Sequence, residues 1–275
     1  MATTITWFGT NTLLFRKGDS SLLVDPHFSR PGLLNLITKI SSGEQAVEDG
    51  LKTGNIERLD AVLLTHTHYD HAMDAPTVIR QTGGALYGSQ SAVNLAMGEG
   101  LKPGQYHRVS VGEKAGIGEF QVEFHPSRHL PFAPPMAWLV PESAEIDHPL
   151  KSPAWFWQYA CGEIYAIQVE DVLIFGSAGF EPGAYQGRDI KTVVLGIGGL
   201  ETRPKAYLVD FYREAVVQSG AEKVFVSHWD HFMRPAGAEA EPLGFANQTI
   251  ERVSQLGEVH GQSVAVLRLN QTYRV

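Results

Sequence analysis

Short apolar runs separated by glycine and polar turns occupy the start of the chain. Thr3–Phe8, Thr12–Arg16 and Ser21–Asp25 read as strands, with Gly9-Thr10-Asn11 and Lys17-Gly18-Asp19-Ser20 supplying the turns. The third run ends Leu22-Leu23-Val24-Asp25-Pro26, an apolar strand with a carboxylate at its exit. A longer connection over 27–58 carries the apolar patch Leu33-Leu34-Asn35-Leu36-Ile37 and a helix near Glu44–Lys52. Ala61-Val62-Leu63-Leu64 is uninterrupted and apolar, as in a buried strand. Helices over Asp74–Arg80 and Gln90–Met97 alternate with strands at Ala85–Tyr87, Gln105–Val109 and Glu119–His125. A second strand group follows at Trp155–Ala160, Glu163–Val169, Val172–Phe175 and Val193–Gly196. Lys205–Gly220 reads as a helix ended by Gly220, Val224–Val226 as a strand, Ile250–Leu256 as a helix and Ser263–Leu269 as a last strand. Strands and helices alternate in each half, and no repeat or low-complexity linker divides them. The pattern predicts an α/β chain forming a single domain over 1–275.

Composition narrows the function classes. Apolar residues make up 43% and charged residues 19%, enough to bury a substantial core. The formal net charge of −8 argues against broad nucleic-acid binding, though a local basic pocket for a phosphate stays open. The single cysteine, Cys161, excludes a disulfide framework and reads as a small buried residue. The N-terminal residues lack a basic segment and a long apolar core, and no run reaches the roughly 18 apolar residues of a membrane span. A cytoplasmic protein acting on a small molecule is expected, with a homo-oligomer left open. Residues 130–157 differ from the rest: six prolines and three of the five tryptophans, Trp138, Trp155 and Trp157, fall there. So proline-rich a stretch suggests a surface excursion, serving as a lid, a pocket wall or a subunit contact, with Phe132, Met136, Trp138, Trp155 and Trp157 as the side chains that could wall an apolar pocket.

The densest chemistry follows the run at 61–64, in Thr65-His66-Thr67-His68-Tyr69-Asp70-His71. On an extended segment His66 and His68 point the same way, so both can hold one ion. Asp70 and His71 can complete that site or serve a second ion. Imidazole with carboxylate suits zinc, and also iron or manganese. A bound metal lowers the pKa of its water and makes hydroxide available near pH 7. Two further histidines stand at strand exits: His129, in Ser127-Arg128-His129, and His228, in His228-Trp229-Asp230-His231. His129 is the candidate in its region rather than His125, which ends the strand.

The motif His66-x-His68-x-Asp70-His71, the early Val24-Asp25-Pro26 and the order of the later histidines resemble a metallo-β-lactamase-fold hydrolase over nearly the whole chain. Pro126-Ser127-Arg128-His129 and Ser227-His228-Trp229 are similar to the branch containing ascorbate-phosphate lactonase and the N-acylphosphatidylethanolamine phospholipase D type. The resemblance implies a four-layer αββα sandwich: two mixed sheets with helices on the outer faces. It implies one or two zinc ions, with His66, His68 and His129 on the first and Asp70, His71 and His228 on the second.

One departure stands out. Where the family usually carries Gly-Asp-Thr-Gly, with an aspartate bridging the metals, this chain has Gly176-Ser177-Ala178-Gly179. A neutral hydroxyl at 177 weakens a second cation site. Either the site holds one metal, or another acid such as Glu181 or Asp230 moves in, or hydrolysis has been lost. The enzyme expected is a hydrolase of a small ester, lactone or phosphodiester, with Asp70 orienting water or taking its proton and His231 as a proton donor. The alternative is a non-hydrolytic metal-binding sensor or scaffold. A flavodiiron-type redox role fits less well, since that type resembles this one but places a glutamate where His68 stands.

Overall fold

The computed structural model describes residues 2–132, 136–234 and 240–275. Among these, the strands form two seven-stranded sheets. In the first, β1 (Thr4–Trp7), β2 (Leu13–Lys17) and β3 (Ser20–Val24) form an antiparallel meander. The parallel strands β4 (Ala61–Leu63), β5 (Ala85–Gly88) and β6 (Tyr106–Arg108) continue it. In the second, β7 (Lys114–Ile117), β8 (Phe120–Pro126), β9 (Tyr165–Val169) and β10 (Val172–Phe175) are antiparallel. β11 (Thr192–Gly196), β12 (Lys223–Ser227) and β13 (Ser263–Val266) extend it in parallel. β14 (Thr272–Arg274) closes the outer edge of the first sheet against β1.

Alternation along the strands fixes the layers. Ile5, Trp7, Leu13, Phe15, Leu22 and Val24 face Phe120, Val122, Phe124, Tyr165, Ile167 and Val194 in a core between the sheets. The intervening Leu14, Leu23, Val62 and Leu64 face outward, under α1 (Glu44–Thr53), α3 (Ala75–Thr82) and α4 (Gln90–Gly98). Leu173, Val193, Leu195, Val224 and Val226 do the same under α6 (Lys205–Tyr212) and α7 (Ala246–His260). Strands covered on both faces must be apolar throughout, which is why 22–24, 61–64 and 193–195 show no alternation. The four-layer α/β sandwich implied by the resemblance is the architecture found.

Four local expectations change. Trp155–Ala160 is not a strand: Phe156–Gln158 forms a short 3-10 turn, and Trp155 stacks on Trp157 at 4.8 Å. Two strands had no sequence signal. Lys114–Ile117 and Thr272–Arg274 are short edge strands, mostly exposed and without an apolar stripe. The helix from Lys205 widens into a π turn over Arg213–Val217 before Gly220, at φ 79°, ends it. The last helix is longer than expected, Ala246–His260. Of the 130–157 excursion, residues 133–135 and the side chain of Met136 lie outside the described residues; Met136–Leu139 is a single helical turn.

Candidate metal centre

The candidate ligands collect where parallel strands end, at one edge of the sandwich. After β4 the chain runs extended through His66 and His68, then turns into the four-residue helix α2 (Tyr69–Ala72) that carries Asp70 and His71. Strand ends gather side chains from separate segments at one sheet edge, and ligand sites in open α/β sheets form there. β8 delivers His129, β10 delivers Gly176 and Ser177, and β12 delivers His228.

Six of the predicted residues come together in two groups. The potential ligand atoms of His66, His68 and His129 lie within 4.8 Å of one another, as do those of Asp70, His71 and His228. The groups adjoin: the His66 and His71 rings are 4.0 Å apart between centroids. All six residues are buried. Nε2 of His66 and of His68 is buried with no hydrogen-bond partner. Orphaned buried nitrogens carry an uncompensated desolvation cost, and a cation would remove it. His129 and His71 are already oriented by their other nitrogens. His129 Nδ1 lies 2.7 Å from the Leu130 carbonyl, and His71 Nδ1 lies 2.8 Å from Asp25 Oδ2. With Nδ1–H donating in each, Nε2 is left for a ligand. The donor set fits a divalent metal on these observations.

Asp25 proves more important than its place at a strand exit suggested. Besides His71 it accepts the Thr65 amide at 2.8 Å, the Thr65 hydroxyl at 2.5 Å and the Asn11 amide group at 3.1 Å. The Thr65 hydroxyl lies 3.0 Å from His66 Nδ1, so one carboxylate orients His71 directly and His66 through Thr65. Its ligand atom also lies within 4.8 Å of those of His66 and His71, a third group that could hold an ion, but its oxygens already serve four donor groups, which suits an orienting role. Gly176 is required beside it: a Cβ there would come 2.1 Å from the Thr65 hydroxyl. Gly198 does the same for His228, whose Nδ1 would lie 2.6 Å from an added Cβ. Neither glycine's role is readable without knowing what packs against it.

Burial and neighbouring charge set the protonation. Burial, then the surrounding imidazoles, hold His66 and His68 well below the usual histidine range, and burial holds His129 at about 4. These three are neutral and ready to ligate without losing a proton. Burial lowers His71 too, but Asp70 and Asp25 outweigh it and raise it. Burial pushes the Asp70 carboxyl up, while His71 and then His228 overrule it and hold it far below the carboxylate range. Asp70 Oδ2 stands 3.6 Å from Nε2 of both histidines.

Three candidates are not brought to the centre. His231 does not line the cavity, and its backbone amide bonds the Glu241 carbonyl at 2.7 Å. Asp230 cannot stand in for a bridging acid. It pairs with buried Arg30 at 2.7 Å and accepts the Thr10 amide at 2.7 Å. Glu181 is occupied by Arg128 in a surface pair at 2.7 Å. Ser177, at the usual bridging position, is buried, and its hydroxyl accepts the Leu130 amide at 3.0 Å.

The centre opens into a cavity of about 480 Å³. Apart from the candidate ligands its walls are mostly apolar, and the excursion does contribute to them, through Leu130, Pro131, Phe132, Val140 and Phe156. The tryptophans are elsewhere: Trp138 is 77% exposed, and Trp155 and Trp157 stack on each other outside the lining.

Comparison with known proteins agrees with this architecture. A family model described as the metallo-beta-lactamase superfamily matches residues 5–228. A protein of Myxococcus xanthus (strain DK1622) named UPF0173 metal-dependent hydrolase is 31% identical over 229 residues, 79% of this chain and 68% of that protein. Among solved structures, Igni18, a metallo hydrolase from Ignicoccus hospitalis, superposes with a TM-score of 0.62 at 18% identity, covering 100% of this chain and 99% of that one. CmlA, a diiron beta-hydroxylase from Streptomyces venezuelae, gives 0.59 at 17% identity, covering 100% of this chain and 54% of its own. At those identities the two structures bear on the fold alone.

Proposed function

This chain belongs to the metallo-beta-lactamase superfamily, and from that premise we propose a hydrolase built around one tightly held divalent metal. It is a metal-dependent hydrolase in its coarse class, as the name of its Myxococcus xanthus relative has it. His66, His68 and His129 would hold the metal, and zinc suits three imidazoles with an open fourth position. The second group, two histidines and a carboxylate, suits a weaker second ion, iron or manganese included. A bound metal supplies Lewis acidity and makes hydroxide available near neutral pH. Asp70 orients the attacking water through a carboxylate that His71 and His228 keep ionised. The apolar walls exclude bulk water and so strengthen the electrostatics at the reacting centre.

The observation that carries this reading is the pair of buried, partnerless Nε2 atoms on His66 and His68. Replacing both with alanine removes two ligands from one ion. Protein purified without added metal should carry about one ion per chain, and the double variant should carry none and hydrolyse no ester. Full metal content in the double variant refutes the assignment. The competing reading, a metal-binding sensor or scaffold, is favoured by Ser177 in place of a bridging acid. Stoichiometric metal with no turnover of carboxylic or phosphate esters selects it.

A further inference from the structure

The cavity says more about the substrate than the metal ligands do. Away from those ligands its walls are Leu33, Leu130, Phe132, Phe156, Phe232 and Leu243, with a few smaller groups. No lysine or arginine lines it among the described residues. Nor can one come from the undescribed stretches, since 133–135 and 235–239 contain no basic residue. Three of the basic side chains nearest in sequence are paired elsewhere: Arg128 with Glu181, Arg30 with Asp230 and Arg234 with Glu241. Arg203, beside the lining residue Thr202, bonds its hydroxyl but does not itself line the cavity. Sites that take phosphate or carboxylate groups supply guanidinium or ammonium partners, because a desolvated anion needs them. The apolar surface also continues beyond the cavity. Leu33 lines the cavity yet is 66% exposed, and Leu34 and Ile37 in the same turn are 80% and 75% exposed.

Resting on the hydrolase reading above, we infer that the substrate is an uncharged carboxylic ester or lactone bearing an apolar chain. The acyl carbon sits by His68 and His129, and the chain lies along Phe132 and Phe156 and leaves over Leu33. Water adds to the carbonyl carbon and the acyl C–O bond breaks. The alkoxy oxygen takes a proton, and a carboxylic acid and an alcohol form, or one hydroxy acid from a lactone. The acid ionises at neutral pH. Apart from whatever ion the candidate ligands would hold, the walls offer that anion no basic partner, and a phosphodiester, anionic before reaction, finds none there either.

The test compares p-nitrophenyl esters from acetate to octanoate with bis(p-nitrophenyl) phosphate on the metal-loaded enzyme. The readout independent of turnover is calorimetric titration of 1-octanol, and separately of inorganic phosphate, into metal-free protein. We expect kcat/KM to rise about fourfold per added methylene until the cavity is filled. Octanol should bind with a negative heat-capacity change, and phosphate should not bind. Leu33→Asp should lower the octanoate-to-acetate ratio about tenfold, the worth of burying one leucine-sized side chain. A flat chain-length profile, preference for the phosphodiester and no octanol binding overturn the inference and leave the hydrolase reading standing. Octanol binding with no turnover of any ester sinks the hydrolase reading and supports the apolar site.

Discussion

The two candidate ligand groups adjoin but are held in opposite ways. His66, His68 and His129 are neutral imidazoles, and two of them present buried nitrogens with nothing opposite. Asp70, His71 and His228 already form a charge-compensated cluster, with the carboxylate between two imidazoles at 3.6 Å and Asp25 bracing His71. A cation entering the first group ends a desolvation penalty. A cation entering the second must displace an existing arrangement, and no carboxylate at 177 helps it. The first group should therefore fill first and hold tighter, although the two lie side by side. Backbone strain falls around the second group: Thr10, Asp25, Arg30 and His228 all have φ between 42° and 53°. Left-handed backbone at non-glycine residues costs of order 1–3 kcal/mol each and persists only where its surroundings enforce it.

The largest expected effect tests what enforces it. Asp230 fixes the Thr10 amide, and the Thr10 carbonyl accepts the His228 amide at 2.8 Å. Asp230→Ala removes that anchor and leaves Arg30 buried without its partner, which should destabilise by about 3–5 kcal/mol. Thermal unfolding of the metal-loaded protein checks this. The first ion should still bind wherever the variant is folded, because His66, His68 and His129 do not depend on that anchor. Loss of the first ion from folded Asp230→Ala would break the claimed independence of the two groups.

A smaller effect tests what the groups share. Asp25→Asn keeps one accepting oxygen but puts an amide NH2, itself a donor, where Thr65 or His71 now donates. Disturbing such a buttress typically weakens metal binding about 10–100-fold. Since Thr65 relays Asp25 to His66, both groups should weaken, as read by chelator competition. Unchanged affinity would remove Asp25 from the centre.

How much of this the sequence disclosed follows from how local each feature is. His66, His68, Asp70 and His71 are contiguous, so spacing alone announced them. His129 and His228 stand at strand exits, but only the order of elements in a resembling fold linked them to the motif. The central strands were legible because burial on both faces makes them apolar throughout; the edge strands 114–117 and 272–274 were not. The cavity wall shows the limit. The sequence pointed to Phe132, Trp138, Trp155 and Trp157, yet of these only Phe132 lines the cavity, joined by Phe156. Which face of an irregular segment turns inward depends on its partners, and no local pattern records it. Asp230 and His231 show the same limit: both follow His228 closely in sequence, yet neither lines the cavity, and Asp230 pairs with Arg30.

The finest test of the comparison is Ser177, where the resembling family carries its bridging aspartate. Ser177 lines the cavity, is buried, and uses its hydroxyl to accept the Leu130 amide. Ser177→Asp keeps an acceptor in that place and adds one negative charge at the cavity wall. Extra charge there favours a second cation, which now finds only Asp70. Metal per chain should rise from about one toward two, with the gain confined to the weaker ion and the tight one unaltered. A folded variant with unchanged stoichiometry means that charge at 177 is not what limits the second group. Wild-type protein already holding two tight ions would refute the asymmetry itself. Glu181 and Asp230, bound to Arg128 and Arg30, are not placed to explain such a result, so the bridging group would have to be sought among Asp70, Asp25 and solvent.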